Sequence, residues 1–386
     1  MPLTNAIDLF RPSVVKGMWS EVLTPYNVWQ DFFKLGPGGE KCEMSETRRV
    51  AIDIVDDDRT VASGRAPGAD AAVIPPMVLG NRPITVPRSF EKMGLDFELL
   101  NNIRAIGEGA SNLDKRGMQY VKQMVAHMAR RGRRWREFMI WGMLRGTAKF
   151  DRNGVDWIPI DPAAASADFT IDWQIPADHK DQAGGIIGES WDTSTTEIIT
   201  DLAQLTAQSE EDSGMPLTHA WVNHSRMVKI LNNDQVKAMG GTANTAFETW
   251  NFQESKQDGI ESSGIPQVKA GTEIVLRGFP QITWHVTNRV TKLDNGAGTG
   301  TQTTVKYLGD DEVILHPDLS YEWYKGFEVK ESTNQVTGTA PVDVYGMSTW
   351  IKFPVDRDVP QYWLFALDNF MPACNPNAIF FLDVTP

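Results

Sequence analysis

Residues 111–146 form the longest periodic stretch of the chain, and their spacing is that of one uninterrupted helix. Apolar or small residues recur in steps of three and four, which places them along one side of a helix. Ser111 and Asp114 have the spacing of an N-terminal capping box. The pattern therefore predicts a helix over 111–146 with one buried face. That face comprises Met118, Val121, Val125, Met128, Gly132, Trp135, Met139 and Gly142.

The positive charge of the chain is concentrated on this predicted helix. Residues 104–150 hold eleven Lys/Arg against three Asp/Glu, whereas the remaining residues hold 26 against 47. Two interpretations are open, namely ion pairs with acidic neighbours or contacts with nucleic acid. The acidic remainder would repel phosphates, which favours ion pairs. The side opposite the apolar face is predicted to carry Lys115, Lys122, Arg130, Arg133 and Arg134.

Ahead of the helix, the sequence predicts an arm and a long hairpin. Residues 1–46 contain apolar anchors with no core of their own, which is typical of an arm that packs on another surface. Alternating and β-branched residues in "RRVAIDIVD" and "PMVLGNRPITVPRSF" predict two strands joined by a long polar connection. Two interpretations are open: a surface hairpin, or a projecting hairpin that becomes ordered on a neighbouring subunit.

Beyond the helix, short strands and helices alternate to the end of the chain. Strands are predicted at "DWIPIDP", "FTIDWQIP" and around Gly278, and a last one at "NAIFFLDVTP". A helix is predicted to end near Gly214, and "THAWVNHSRMVKILNN" predicts a strand that runs into a helix. The mixture predicts an α+β fold.

The residues that usually carry chemistry do not form a recognisable motif. The six histidines lack metal-site spacing, and the glycine-rich stretches lack the features of a phosphate-binding loop. Gly309, Asp310 and Asp311 are interpreted as a turn with solvated charge. Cys42 and Cys374 are predicted to be free thiols in a reducing cytosol. We expect no catalytic, cofactor or metal site, no secretory signal and no membrane span.

The order of these parts resembles the Hong Kong 97-type fold of tailed-phage major capsid proteins, in particular the lambda-type major capsid protein E family. The helix end "REFMIWGMLRGTAKFDRNGVDWIPIDP" resembles the family's helix followed by a strand pair. The later motifs also match in order, over roughly residues 47–386. These motifs are "DWQIPADHK", "ESWDTSTTEIITDLAQL", "FPQITWHVTNRV", "KYLGDDEVILHPD" and "MPACNPNAIFFLDV".

The resemblance implies a subdivision of the chain into the parts of that fold. A spine helix over 111–146 would belong to a peripheral domain, and an axial domain would follow it. The implied parts are an N-terminal arm (1–46), an extended hairpin loop (47–94), a peripheral domain (95–195), an axial domain (196–320), return strands of the peripheral domain (321–365) and a C-terminal strand of the axial domain (366–386).

The resemblance also implies a structural, non-enzymatic function. The chain would self-assemble as pentamers and hexamers into an icosahedral shell around double-stranded DNA, which it contacts without sequence specificity. About 110 residues precede the helix. That leaves no room for a fused scaffolding domain, so a separate scaffolding protein is expected. A portal protein and a decoration or cement protein are further expected partners. Assembly would occur in the host bacterial cytoplasm, and the product would be the virion capsid.

The expected subunit contacts are carried by charged residues of the hairpin and the helix. They are Arg48, Arg49, Asp56, Asp57, Asp58, Arg59, Arg65, Arg82, Arg88, Arg130, Arg133 and Arg134. Three other functions stay open from the sequence: an encapsulin-like protein cage, a nucleic-acid-binding protein that uses the arginine helix, and a β-rich enzyme suggested by thirteen tryptophans.

Overall fold

In the computed structural model, the chain divides into two compact units. The described residues of unit 1 belong to Leu35–Gly132 and Gly326–Ala373, and those of unit 2 to Arg133–Lys325 and Cys374–Pro386. The structure describes residues 42–45, 49–55, 79–96, 115–153, 156–180, 187, 189–239, 273–276, 278–294, 302–318, 325–329, 342–344, 347–352 and 361–385.

Four helices and nineteen strands lie within the described residues. The helices are α1 (Lys115–Arg145), α2 (Ile198–Ser213), α3 (His224–Asn232) and α4 (Asp234–Met239). The strands are β1 (Cys42–Ser45), β2 (Arg49–Val55), β3 (Leu79–Thr85), β4 (Ser89–Asp96), β5 (Thr147–Asn153), β6 (Asp156–Pro159), β7 (Phe169–Asp172), β8 (His219–Asn223), β9 (Glu273–Leu276), β10 (Phe279–Thr287), β11 (Val290–Asp294), β12 (Gln302–Lys306), β13 (Glu312–His316), β14 (Lys325–Val329), β15 (Val342–Val344), β16 (Met347–Lys352), β17 (Gln361–Asp368), β18 (Phe370–Ala373) and β19 (Phe380–Asp383).

Unit 1 contains two sheets of three or more strands. One is antiparallel in the order β15-β16-β17-β4, and the other has the order β1-β14-β18 with β1 parallel to β14. The aromatic rings of Phe90 on β4 and Phe365 on β17 stack with centroids 5.7 Å apart. Two of the predicted domain boundaries, 94/95 and 365/366, fall inside β4 and β17. β4 and β17 pair with each other along their whole length, so each strand continues past the predicted boundary within one sheet.

The predicted hairpin is confirmed over its two strands. β2 and β3 pair antiparallel from Arg49 opposite Thr85 to Val55 opposite Leu79. They form a sheet of two strands, to which no third described strand is added. The connection over residues 56–78, which the sequence interpretation treats as polar and projecting, lies outside the described residues.

Unit 2 is built around a mixed five-stranded sheet in the order β19-β13-β8-β10-β9. β8 lies at its centre, antiparallel to β13 and parallel to β10. Apolar residues of α2, α3 and these strands form one core, with Trp191, Leu202 and Trp284 almost fully buried. The predicted strands and helices after α1 are therefore confirmed.

The predicted end of α2 is also confirmed. Gly214 has a left-handed backbone (φ 75°), and its N–H donates to the Glu210 carbonyl. Glycine adopts this conformation without the steric cost that a side chain adds. Two smaller sheets complete unit 2: the hairpin β11-β12 and the sheet β6-β5-β7.

Helix α1 confirms the long helix and its buried face. The residues of the predicted face whose side chains are described are buried, apart from the half-buried Gly132. From Trp135 to Gly146, however, every residue is buried, so the last three turns of α1 are enclosed on all sides. The predicted capping residues 111–114 lie outside the described part. Within that part, no helix combines the length and apolarity that crossing a membrane requires.

Gly142 allows α1 to approach the strand that follows it. A Cβ at this position would lie 2.7 Å from the Cβ of Ala148 and 3.3 Å from its Cα. Alanine in a helix interior normally gains about 0.5–1 kcal/mol over glycine. Overpacking costs about 1–3 kcal/mol. We therefore expect Gly142→Ala to lower the free energy of unfolding by about 1 kcal/mol, measured by urea unfolding of the unassembled subunit.

Gly132→Ala is the matched control, because Gly132 lies on the same helix and is only half-buried. We expect this change to be neutral or to add up to about 1 kcal/mol through helix propensity. Equal stabilisation by both changes would show that the approach of Gly142 to Ala148 is not a constraint.

Candidate functional site

The arginine-rich part of α1 is less exposed than its sequence indicates. Arg133 is 4% exposed and Arg136 is fully buried. The prediction that Arg133 lies opposite the apolar face is therefore wrong. It fails because tertiary packing encloses the Arg133 side chain, although the adjacent Arg134 stays exposed.

Arg130 and Arg134 are exposed, as predicted. One ion pair of this stretch is made by Arg131, which the sequence interpretation did not select. The Arg131 guanidinium donates to both carboxylate oxygens of Glu91 on β4, at 2.6–2.9 Å. This pair supports the ion-pair interpretation of the arginine cluster, although both partners are accessible to water and add little stability.

The other predicted contact residues lie in or near the hairpin. Arg88 is exposed, and its guanidinium lies 4.8 Å from the centre of the Phe90 ring. Arg49 and Arg82 lie on β2 and β3, where they belong to strands that pair with each other. Their side chains are outside the described part, as are residues 48, 56, 57, 58, 59 and 65 altogether. The role of these residues in subunit contacts stays a prediction.

At the C-terminal end of α1, Arg145 connects the helix to the central sheet. Its guanidinium donates to both oxygens of Glu312 at 2.5 Å and to the Tyr307 carbonyl at 3.1 Å. It also lies 4.9 Å from the centre of the Phe381 ring. A cation in the last turn of a helix is favourable, and this position could have been selected from the sequence on that ground.

A second buried ion pair joins α1 to the loop before β11. Arg289 donates to Glu137, whose side chain is 7% exposed. Burial raises the pKa of Glu137, although the positive charge of Arg289 opposes this effect. Burial, and to a lesser degree the charge of Glu137, also raises the pKa of the nearby Tyr307.

The most extensive polar network surrounds Arg226, which is fully buried on α3. Its three guanidinium nitrogens each have an oxygen partner: Nε donates to the Asp310 carbonyl at 3.0 Å, and the other two donate to Asp192 and Asp311. Lys229 donates to the same Asp192 carboxylate at 2.7 Å. Hydrogen bonding by Lys229, with a further contribution from Arg226, lowers the pKa of Asp192.

The acidic turn carries exposed charge, as predicted, and its carboxylates also take part in this network. Asp310 accepts hydrogen bonds from Lys306 at 2.7 Å and from Ser225 at 2.9 Å. These bonds, that of Lys306 first, lower its pKa. The turn thus connects β12 and β13 to α3. No local pattern indicates this connection, because Arg226 is more than 80 residues away along the chain.

Three histidines lie together at one end of the central sheet. His219 Nδ1 lies 2.9 Å from His285 Nε2, and His316 Nε2 accepts from the Trp221 indole at 2.9 Å. Burial is the main cause that lowers the pKa of all three, to about 3 for His316. The histidine neighbours of His219 come from other strands of the sheet.

These clusters tie distant segments of the chain together. Arg145, Arg226 and Arg289 each join a helix or a loop to the central sheet or its neighbouring turns. Cys374 is a free, buried thiol, and burial raises its pKa, which makes it unreactive. The side chain of Cys42 lies outside the described part. The described ion pairs thus hold together segments that are far apart along the chain.

The structure and the sequence of the chain are both similar to those of known proteins. The structure is similar to a crystal structure described as the capsid protein of a prophage of E. coli CFT073, with a TM-score of 0.51 and 14% identity over 94% of this chain and 99% of that one. It also matches a phage-related protein from Bordetella bronchiseptica RB50 (TM-score 0.44, 12% identity, 96% of each chain). A third match is the mature capsid of bacteriophage PhiM1 (TM-score 0.42, 12% identity, 94% of this chain and 88% of that one).

The fold is thus the Hong Kong 97-type fold of phage capsid proteins, as predicted. At the level of sequence, residues 38–384 match the profile of phage major capsid protein E, so the chain belongs to that family. A search of curated proteins finds no match. The family match favours a phage capsid protein over the alternatives of a protein cage, a nucleic-acid-binding protein or an enzyme.

Proposed function

We propose that the chain is the shell subunit of a tailed double-stranded DNA phage, which assembles as pentamers and hexamers into an icosahedral capsid without catalysing a reaction. The observation that carries the proposal is the family match over residues 38–384. The portal, a separate scaffolding protein and a decoration protein are proposed partners. Assembly in the host cytoplasm is part of the same proposal, as is the subdivision into a peripheral domain (95–195, with return strands over 321–365) and an axial domain (196–320, with a C-terminal strand over 366–386).

The hairpin of β2 and β3 supports self-assembly. An isolated two-stranded hairpin is marginally stable in water, and no third described strand pairs with this one. A neighbouring subunit could supply the missing packing surface. A hairpin that needs a neighbouring subunit for its stability fits the projecting interpretation better than the simple surface hairpin.

Exposed aromatic residues on a second surface also fit a subunit that contacts its copies. Trp157 on β6 and Phe169 on β7 are 47% and 38% exposed, and their ring centroids lie 5.3 Å apart. Aromatic residues are enriched in the centres of protein interfaces relative to other surfaces. A pair of this size is consistent with a contact between subunits.

The proposal is tested by deleting residues 60–73 from the hairpin connection. Under conditions in which the wild-type chain forms closed shells, alone or with its scaffolding protein, we expect the deletion variant to stay a folded subunit that forms none. The reason is that the shortened hairpin would no longer extend far enough to contact a neighbouring subunit. Negative-stain microscopy measures the shells, and circular dichroism checks the fold.

A second variant separates the reach of the hairpin from its sequence. It replaces residues 60–73 with a glycine–serine segment of equal length, and we expect it to form fewer or irregular shells. Normal shells from the deletion variant would exclude a role of the hairpin in assembly. Absence of shells from the wild-type chain under both conditions would contradict the proposed function itself.

A further inference from the structure

Asp178, His179 and Asp212 form a cluster in unit 2 that has no part in the proposed assembly. Asp178 and His179 lie in a short 3-10 turn over Ala177–His179, and Asp212 lies in the last turn of α2. The possible ligand atoms of the three side chains all lie within 4.8 Å of one another. Asp178 and Asp212 are exposed, whereas His179 is 1% exposed and stacks on the Phe380 ring at a centroid distance of 3.9 Å.

The two ring nitrogens of His179 both face oxygen atoms that can only accept hydrogen bonds. Nδ1 lies 3.3 Å from the Ile379 carbonyl oxygen, and Nε2 lies 2.9 Å from Oδ2 of Asp212. A neutral imidazole carries one N–H and one lone pair. It can donate to one of these oxygens, but its lone pair then faces the other. A positive ion on the second nitrogen, either a proton or a metal ion, removes this conflict.

The surroundings favour a metal ion on Nε2. Histidines that bind metals commonly donate their other ring N–H to a backbone carbonyl or a carboxylate, which fixes the ring. Ile379 supplies such a carbonyl on the Nδ1 side. Nε2 then faces Oδ2 of Asp212, and the Asp178 carboxylate belongs to the same cluster of ligand atoms within 4.8 Å. A dication would balance the combined charge of the two carboxylates, and a single proton would not.

We propose that Asp178, His179 and Asp212 bind a divalent transition-metal ion of the zinc class, which ties the 3-10 turn to the end of α2. Imidazole nitrogen and carboxylate oxygen are both zinc ligands, and three protein ligands leave a fourth position for water. Ligand atoms of a tetrahedral zinc ion are roughly 3.3 Å apart, given metal–ligand distances of about 2.0–2.2 Å. The ligand atoms of the cluster lie within 4.8 Å of one another, so the widest separation must close by up to roughly 1.5 Å to reach this spacing. Asp178 and Asp212 are both exposed, so their carboxylates can turn by that amount.

The test is a titration of metal-free full-length chain with Zn²⁺ alone, followed by calorimetry and by metal analysis after dialysis. We expect one zinc ion per chain with micromolar or tighter affinity, and a rise of several degrees in Tm. Asp178→Asn and Asp212→Asn should each weaken binding at least tenfold, because each removes a charged ligand from the exposed side of the site and leaves the buried ring in place.

Asp172→Asn is the matched control. Asp172 is an exposed carboxylate that lies 3.7 Å from Lys180, next to the 3-10 turn, and is not a proposed ligand. This change should leave zinc affinity and stoichiometry as in the wild type. The proposal is overturned if the wild-type chain binds no stoichiometric zinc, or if all three variants bind it equally well. In either case the cluster is held by its own hydrogen bonds and binds no metal ion.

Discussion

Replacing Arg226 with alanine is expected to lower the free energy of unfolding by about 3 kcal/mol, through the loss of one partner from a buried ion-pair network. Arg226 is fully buried and donates to Asp192, Asp311 and the backbone of Asp310. Removal of the guanidinium leaves the two carboxylates without their shared cation and opens a cavity on α3. Urea unfolding of the unassembled subunit measures the loss.

The size of this effect follows from the unequal burial of the partners. Breaking a fully buried ion pair costs about 3–5 kcal/mol. Here the cation is buried, but Asp192 and Asp311 are 42% and 53% exposed, so water can compensate part of their loss. The lower end of the range is therefore expected. Arg226→Lys should be intermediate, because a single ammonium cannot replace the three-nitrogen fork.

Lys229→Ala is the matched control for this prediction. Lys229 lies on the same helix and donates to the same Asp192 carboxylate, but its side chain is 44% exposed. Exposed ion pairs contribute about 0–1 kcal/mol. If Arg226→Ala destabilised the subunit no more than Lys229→Ala, the network would contribute nothing beyond an ordinary surface pair.

The elements that the sequence predicted correctly are those with a strong local signal. The stripe on α1, the alternation of β2 and the glycine after α2 each depend on residues within a few positions of one another. Local rules of this kind determine whether a segment is a helix or a strand. They were sufficient for the order of elements, from which the resemblance to phage capsid proteins followed.

The pairing of polar groups could not be predicted in this way. Whether Arg133 is buried depends on what encloses α1, and the partners of Arg226 are 34 to 85 residues distant along the chain. The same holds for the proposed metal site, where Asp212 is 33 residues from His179. Such contacts are set by the packing of strands and helices, so a single sequence without its fold contains no spacing that indicates them.

The histidine cluster leads to the second large effect, a loss of stability as the pH falls from 6.5 to 5. His219, His285 and His316 have pKa values below the ordinary 6.5, mainly because burial disfavours their charged forms. The unfolded chain therefore binds more protons than the folded chain in this range. Stability is complete above pH 6.5 and decreases as the pH falls toward the folded-state pKa, which for His316 is about 3.

The window from pH 6.5 to 5 separates this effect from that of the carboxylates. Each histidine that stays neutral in the folded state should contribute a loss of about 1.5 kcal/mol across it. Glu273 and Asp318 face the cluster at 3.5 Å from His285 and 3.9 Å from His219. The charge of Asp318 raises the pKa of His219 and so opposes part of the effect of burial. His219 should therefore contribute less to the loss of stability. His316, whose pKa is about 3, should stay neutral across this window and contribute the full loss of about 1.5 kcal/mol.

His316→Gln tests the contribution of one member of the cluster. Glutamine can still accept from the Trp221 indole and donate to the Pro317 carbonyl, the two partners of the His316 ring. We expect this variant to lose about 1.5 kcal/mol less than the wild type between pH 6.5 and 5, by urea unfolding at several pH values. His127→Gln, at an exposed position of α1, should show the same change in the free energy of unfolding with pH as the wild type. An unchanged slope for His316→Gln would mean that the folded subunit accepts a proton at the cluster, and that burial there does not hold His316 neutral.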